Sequence, residues 1–421
     1  YMVSLGSDFA CYLSQLGLVK CAGGNYYGQL GRGDTTTHRF GSADWVDLGS
    51  NRTATMIDSG DAFTCALLDN GDVKCWGRGY LGRLGAGNWN NIGDQPNEMG
   101  DNLQPVQLGQ PATSISVGLD NACAVVADGT IWCWGYNDYG KLGLGTTASQ
   151  STPQEVDLGP GMVAHKVVTG RYNTCALMAS GQVKCWGMGN HGILGRGDTT
   201  HAGDQPGETG SSLPFVDLGT SRYATDITLG EFFACASMSD MTTLCWGFQN
   251  AGQLGINSYS SMYVGRAGDA DGDGFSGDMS DDLAEVIMRN KSLLPYTVLD
   301  LASALDPIVD VDSSYQAYHA CGITSARDVY CWGSGSYGVL GDAGSSNNYW
   351  ADVVANSPHS AQSIETGYQR TCMVTTSAKV HCWGNGGYYD FNDASGYRYT
   401  PILVDIDLHS GDSDLDGWLD L

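Results

Sequence analysis

An all-β, seven-bladed β-propeller with four-stranded blades is predicted by three features of the chain. A pair of cysteines separated by nine residues recurs seven times and uses all 14 cysteines. Each pair brackets a turn between two short extended runs. The second cysteines follow one another after 54, 58, 52, 60, 86 and 51 residues, space for about four short strands per unit. A repeat of this kind fixes the architecture before any other reading.

The hairpin is the first element. In "CALLDNGDVKCWG" (65–77) the segment Asp69-Asn70-Gly71-Asp72 supplies turn chemistry between extended runs. A three-residue loop with glycine in the left-handed position sets Cys65 opposite Cys75. Paired residues of an antiparallel ladder have Cα atoms about 4.5–5.5 Å apart, within disulfide reach. The expected disulfides are Cys11–Cys21, Cys65–Cys75, Cys123–Cys133, Cys175–Cys185, Cys235–Cys245, Cys321–Cys331 and Cys372–Cys382. Zinc or redox pairs are the competing reading, but such sites favour about two to four intervening residues.

The strands flanking each hairpin come next. A strand pair is expected before the first cysteine, as in "WVDLGSNRTATMIDSGDAFTC" (45–65) and "FVDLGTSRYATDITLGEFFAC" (215–235). The first unit, "MVSLGSDFAC", lacks the "VDLG" part, and "TPILVDIDL" (400–408) resembles it. The expectation is a first blade completed by N- and C-terminal strands, which removes two exposed edges. One propeller then covers 1–408, with an insertion at 256–300 and an acidic tail at 409–421.

Glycine-rich segments follow each Cys-Trp-Gly: "RGYLGRLGAG" (78–87), "YNDYGKLGLG" (136–145), "MGNHGILGRG" (188–197), "FQNAGQLG" (248–255) and "SGSYGVLG" (334–341). This G-x-L-G-x-G run after C-W-G resembles the regulator-of-chromosome-condensation repeat family. The resemblance spans nearly the whole chain and implies a seven-bladed propeller. It also implies binding through a propeller face, since family roles range over nucleotide exchange on a small GTPase, light sensing and β-lactamase inhibition. Fold therefore does not fix function. Exchange is an intracellular role, which the disulfides oppose. Light sensing needs clustered tryptophans, whereas Trp76, Trp134, Trp186, Trp246, Trp332 and Trp383 occur once per unit, with Ala22 in the first. That pattern predicts packing in the core or between blades.

The long interval holds "GDADGDGFSGDMSDD" (268–282). Asp269, Asp271 and Asp273 fall at positions 1, 3 and 5 of a calcium loop, Gly274 at its turn and the Phe275 carbonyl at position 7. Position 12 is Ser280, so Asp278 or Asp281 must substitute. Helical spacing of Leu283, Val286, Ile287, Leu293 and Leu294 predicts a helix over 281–294. The tail repeats the pattern with Asp412, Asp414, Asp416, Trp418 and Asp420, and stops before position 12. Structural calcium is the cofactor these segments imply, and a solvated acidic insertion is the alternative.

Two loops, "GDQPNEMGDNLQPV" (93–106) and "GDQPGETGSSLPFV" (203–216), share Asp94 and Glu98 with Asp204 and Glu208. They read as turns fixed by Pro96 and Pro206, or as a recognition or cation site. Asn51 and Asn290 begin N-glycosylation patterns.

Seven disulfides imply an oxidising compartment, hence an extracellular or cell-surface place. The chain begins at Tyr1 without a leader, as after removal of a signal peptide. No run of 18 apolar residues predicts a membrane span. A net charge of −26 repels nucleic acid. No catalytic motif occurs, and the eight histidines are scattered. The expected function is therefore non-catalytic: an extracellular structural protein assembling with itself into a filament, sheath or surface array with calcium-aided contacts. The alternatives are a secreted propeller that binds a protein or glycan through one face, and a hydrolase or lyase at the propeller centre.

Overall fold

A computed structural model of the chain describes residues 1–39, 43–219, 221–255, 263–264, 284–285, 307–354, 360–385 and 397–404. Seven antiparallel sheets follow one another along the chain. Blade one holds β1 (Met2–Leu5), β2 (Phe9–Leu13) and β3 (Val19–Gly23). Blade two holds β4 (Ala54–Ser59), β5 (Phe63–Leu68) and β6 (Val73–Gly77). Blade three holds β7 (Ala112–Val117), β8 (Asn121–Val126), β9 (Ile131–Gly135) and β10 (Gln150–Val156). Blade four holds β11 (Ala164–Thr169), β12 (Asn173–Met178) and β13 (Val183–Gly187). Blade five holds β14 (Ala224–Leu229), β15 (Phe233–Met238), β16 (Thr243–Phe248), β17 (Tyr263–Val264) and β18 (Ala284–Glu285). Blade six holds β19 (Ile308–Asp312), β20 (His319–Thr324), β21 (Val329–Gly333) and β22 (Asn348–Val353). Blade seven holds β23 (Ala361–Thr366), β24 (Arg370–Thr375), β25 (Val380–Asn385) and β26 (Tyr397–Val404).

The hairpins have the expected register. Cys65 lies directly opposite Cys75, and Gly71 sits at φ +83° in a three-residue loop closed by Leu68 N–H to Asp72 O (2.8 Å). All seven disulfides are formed with Cα atoms 4.1 Å apart, and no cysteine is free.

The assignment of the "VDL" segments is corrected. Val46 N–H bonds to Val19 O, Val106 N–H to Val73 O and Val216 N–H to Val183 O. Each segment is thus the outer edge of the preceding blade rather than the start of the next. Blade one consequently lacks nothing: β1 pairs with β2 from Met2↔Leu13 to Leu5↔Ala10. The C-terminal strand β26 pairs with β25 in blade seven, so the first blade is not completed by both termini. A second correction concerns 281–294, where Ala284 and Glu285 are extended and pair with Cys245 and Leu244 rather than forming a helical turn.

Successive inner strands touch around the ring, β1 to β4, β7, β11, β14, β19 and β23, and β23 touches β1. One apolar cluster joins Val3, Leu5 and Tyr12 of the first blade to Val374, Val380 and Val404 of the last. Arg370 also donates to Gly6 O (2.8 Å) across that seam.

The six tryptophans are buried pegs between blades. Each indole N–H donates to a carbonyl in the glycine-rich turn of the preceding blade: Trp76 to Gln29, Trp134 to Arg83, Trp186 to Lys141, Trp246 to Ile193, Trp332 to Gln253 and Trp383 to Val339, at 2.7–3.0 Å. The G-x-L-G turn explains itself through this contact. A Cβ on Gly143 (φ +71°) would lie 2.7 Å from Trp186 Nε1. The turn needs a left-handed residue without a side chain.

Candidate binding face

Two regions concentrate polar and aromatic chemistry, the central channel and the face formed by the turns after each inner strand.

The channel is lined by the inner strands and holds a cavity of about 190 Å³. Residues of β4, β7, β14, β19 and β23 act as clasps on the next blade. Asp58 Oδ2 accepts from Val117 N–H (2.7 Å). Ser116 Oγ accepts from Thr169 N–H (3.0 Å), and Thr228 Oγ1 from Ser313 N–H (2.9 Å). Asp312 Oδ2 accepts from Thr366 N–H (2.6 Å), and Glu365 takes the Leu5 N–H across the seam between blades seven and one. Inner strands of neighbouring blades do not pair with each other, so each leaves backbone donors that these side chains satisfy. Desolvation deep in the channel pushes Asp58 and Asp312 up to about 7, and raises Glu365 and Asp310 as well. Lys166 Nζ meets Asp226 Oδ1 at 2.5 Å in the same channel. Among the described residues no group of histidine, cysteine, aspartate and glutamate side chains is arranged to hold a metal ion.

The turn face carries a continuous run of rings. Tyr139 lies edge-on to Tyr172 (5.7 Å between centroids), Tyr172 stacks on Phe232 (6.0 Å), and Phe232 reaches Tyr318 (6.2 Å). His191 and Phe248 flank Phe232. Blades three to six each contribute. Further round, Arg78 sits over Tyr27 and Tyr80, and Tyr80 contacts Trp89. Leu81, Tyr139, His191 and Tyr337 occupy one position of the repeat at φ +58° to +66°, where side chains are strained. Three ion pairs lie on this face: Arg171 with Glu231 (2.8 Å), Lys141 with Asp120, and Arg78 with Asp61 (3.6 Å). Burial holds Glu231 at about 7 despite the Arg171 guanidinium.

Between blades six and seven the face dips into a pocket of about 230 Å³ lined by Tyr318, His319, Ser334, Ser336, Tyr337 and Tyr368, with Val339 as its one aliphatic member. His319 Nε2 is 2.8 Å from Thr371 Oγ1, and burial lowers its pKa to about 3, so the ring is neutral. Desolvation raises the Tyr318 phenol to about 12.

Of the residues singled out in the sequence, the paired loops border this face: Asp94 N lies against Gly28 beside Tyr27, and Asp204 N against Gly140 beside Tyr139. Glu98 accepts from Gly93 and Gln95 N–H, and Glu208 from Gln205 N–H, so the paired loops are fixed by their own carboxylates. Asp94 takes a hydrogen bond from Asn91, and Asp204 from Gln205 at 3.5 Å. Asn51 lies in an exposed turn at φ +57°. The calcium ligands Asp269, Asp271, Asp273, Phe275, Asp278 and Asp281, the tail residues Asp412, Asp414, Asp416, Trp418 and Asp420, and Asn290 lie outside the described residues. The channel clasps and the aromatic run were missed. Aligning the seven units would have exposed both: Asp58, Asp312 and Glu365 share one register position, and Tyr172, Phe232 and Tyr318 share another, three residues before the first cysteine.

The fold defines a disulfide-stapled, seven-bladed β-propeller. The regulator of chromosome condensation (RCC1) repeat matches residues 128–177, and a second description of that repeat matches 57–83, 112–141, 164–193 and 308–339. The chain thus carries RCC1-like repeats over these residues. It is 24% identical to the ultraviolet-B receptor UVR8 of Arabidopsis thaliana over 97% of this chain and 83% of that protein. It is 34% identical to the E3 ubiquitin-protein ligase HERC2 of Homo sapiens over 47% of this chain, which is 4% of that protein. Among solved structures it is similar to human WBSCR16 (TM-score 0.67, 16% identity, 86% of this chain and 83% of that one). It is also similar to yeast RCC1 (Prp20) solved bound to Kap60 (TM-score 0.63, 16% identity, 87% and 78%).

Proposed function

We propose that this protein is a non-catalytic, extracellular binding propeller that engages its partner through the turn face. The observation carrying the reading is the run Tyr139–Tyr172–Phe232–Tyr318, which crosses four blades with Tyr139 exposed. Aromatic rings combine large contact area with little conformational entropy, and they concentrate at recognition surfaces. Seven disulfides support the oxidising setting. The self-assembly reading has no observation in its favour, and β26 pairs with β25 of its own chain.

The test compares two variants of the immobilised chain for binding to surface and secreted fractions of its source. Tyr139→Ala with Tyr172→Ala should abolish specific retention. Met241→Ser, at an exposed hairpin tip on the opposite end, should leave it intact. Equal retention by both variants would reject the face. Ordered polymers in negative stain would return the filament reading to the front.

A further inference from the structure

We infer that the pocket between blades six and seven binds one neutral pyranose unit of a saccharide. This rests on the reading of the turn face as a binding surface and names the ligand class for one part of it.

The lining excludes other chemistries first. No aspartate, glutamate, lysine or arginine contributes to it, although the chain carries a net charge of −26. The histidine in its wall is neutral and already engaged with Thr371. An anionic ligand therefore finds no partner inside and meets a repulsive field outside. A purely apolar ligand would cover hydroxyls without pairing them.

What the lining offers is hydroxyls and rings. Tyr318, Tyr337, Tyr368, Ser334 and Ser336 bring hydroxyls that both donate and accept, as sugar hydroxyls do. Ser334 Oγ lies 3.2 Å from Ser336 Oγ, so the two present a joined polar edge. The three phenol rings offer apolar faces to the C–H groups of a pyranose. Tyr368 and Tyr337 stand at the rim, 48% and 36% exposed. Tyr337 holds φ +65° in a turn where glycine would sit without strain. A volume of about 230 Å³ limits the occupant to one ring. Tyr318 continues into Phe232, Tyr172 and Tyr139, so further units of an oligosaccharide have rings to lie against.

The experiment is saturation-transfer NMR on the intact chain with methyl α- and β-D-glycopyranosides of glucose, galactose and mannose, and with tetramethylammonium as a cationic probe. At least one glycoside should receive saturation. Tyr337→Ala and Tyr368→Ala should each weaken it about tenfold, while Tyr337→Phe, which keeps the ring, should lose less. Tyr223→Ala, an exposed ring remote from the pocket, should change nothing. Melting curves establish that each variant is folded. Saturation of tetramethylammonium without any glycoside would make the pocket a cation cage and overturn the inference. So would the absence of every glycoside signal, or signals unaffected by the alanine variants. If glycosides fail while Tyr139→Ala with Tyr172→Ala still abolishes partner retention, the saccharide assignment falls alone. If glycosides bind and retention is unaffected, the wider face reading falls instead.

Discussion

Asp58 occupies a position where a carboxylate is structurally useful and electrostatically costly. It accepts N–H groups from Val117 and Ser59, yet it stands deep in a channel with Asp312 contributing like charge. Its folded pKa is raised above the unfolded value, so its contribution to stability is fully present below about pH 4 and is lost as pH rises through about 7. Asp312 has the same sign. His319 has the opposite sign, because burial depresses its folded pKa; its contribution is present above about pH 6.5 and lost on acidification. Asparagine keeps an acceptor for Val117 N–H without a charge. Asp58→Asn should therefore raise the melting temperature relative to the parent at pH 8, and the difference should shrink towards pH 4. A gain that is equal at both pH values would show that desolvated charge is not the cause.

At the scale of the element, the tryptophan peg and the glycine turn are one device. Trp186→Phe keeps most of the packing but removes the bond to Lys141 O, and should cost about 1–2 kcal/mol. Trp186→Ala leaves a cavity and should cost about 3–5 kcal/mol. Gly143→Ala places a methyl group against the same indole in a left-handed turn and should cost about 1–3 kcal/mol. Denaturant titration checks all three. Pairing Trp186→Phe with Gly143→Ala should be non-additive, since both act on one contact. Much of this device was legible: the fixed spacing of cysteines gave the hairpins, and one tryptophan per unit pointed to packing between blades. The "VDL" segments were misread because Leu48 and Ala54 are only a short loop apart, so the strand is near the next unit in sequence while Val46 bonds to Val19 in space. The channel clasps stayed hidden because their partners lie in the neighbouring blade. The pocket stayed hidden because Tyr318, Ser334 and Tyr368 come from separate parts of the chain.

For the whole molecule, the seam between blades seven and one is chemically distinct. Ala22 stands where six other units have tryptophan, and the segment after Cys382-Trp383-Gly384 has no G-x-L-G. Without a tryptophan in the first blade, the boundary is held by the Val3–Val404 cluster and by Arg370 reaching Gly6 O (2.8 Å) and Phe9 O (3.3 Å). Arg370→Met should expose amides of β1 and β23 to hydrogen exchange before those of blades three and four. Uniform exchange around the ring would count against a special seam.

Among the described residues each blade is one unbroken stretch of chain, and no strand passes from one end of the sequence to the opposite sheet. Mechanically, the molecule is a split hoop rather than a buckled belt. Tension applied between Met2 and Val404 loads the joint without a tryptophan rivet directly. Inside each sheet the hairpin crosslinks prevent Cys-to-Cys loops from paying out. Under force the ring should part at that joint and shed blades in order from the ends, each releasing less length than its residue count allows. Reduction of the disulfides should restore the missing extension.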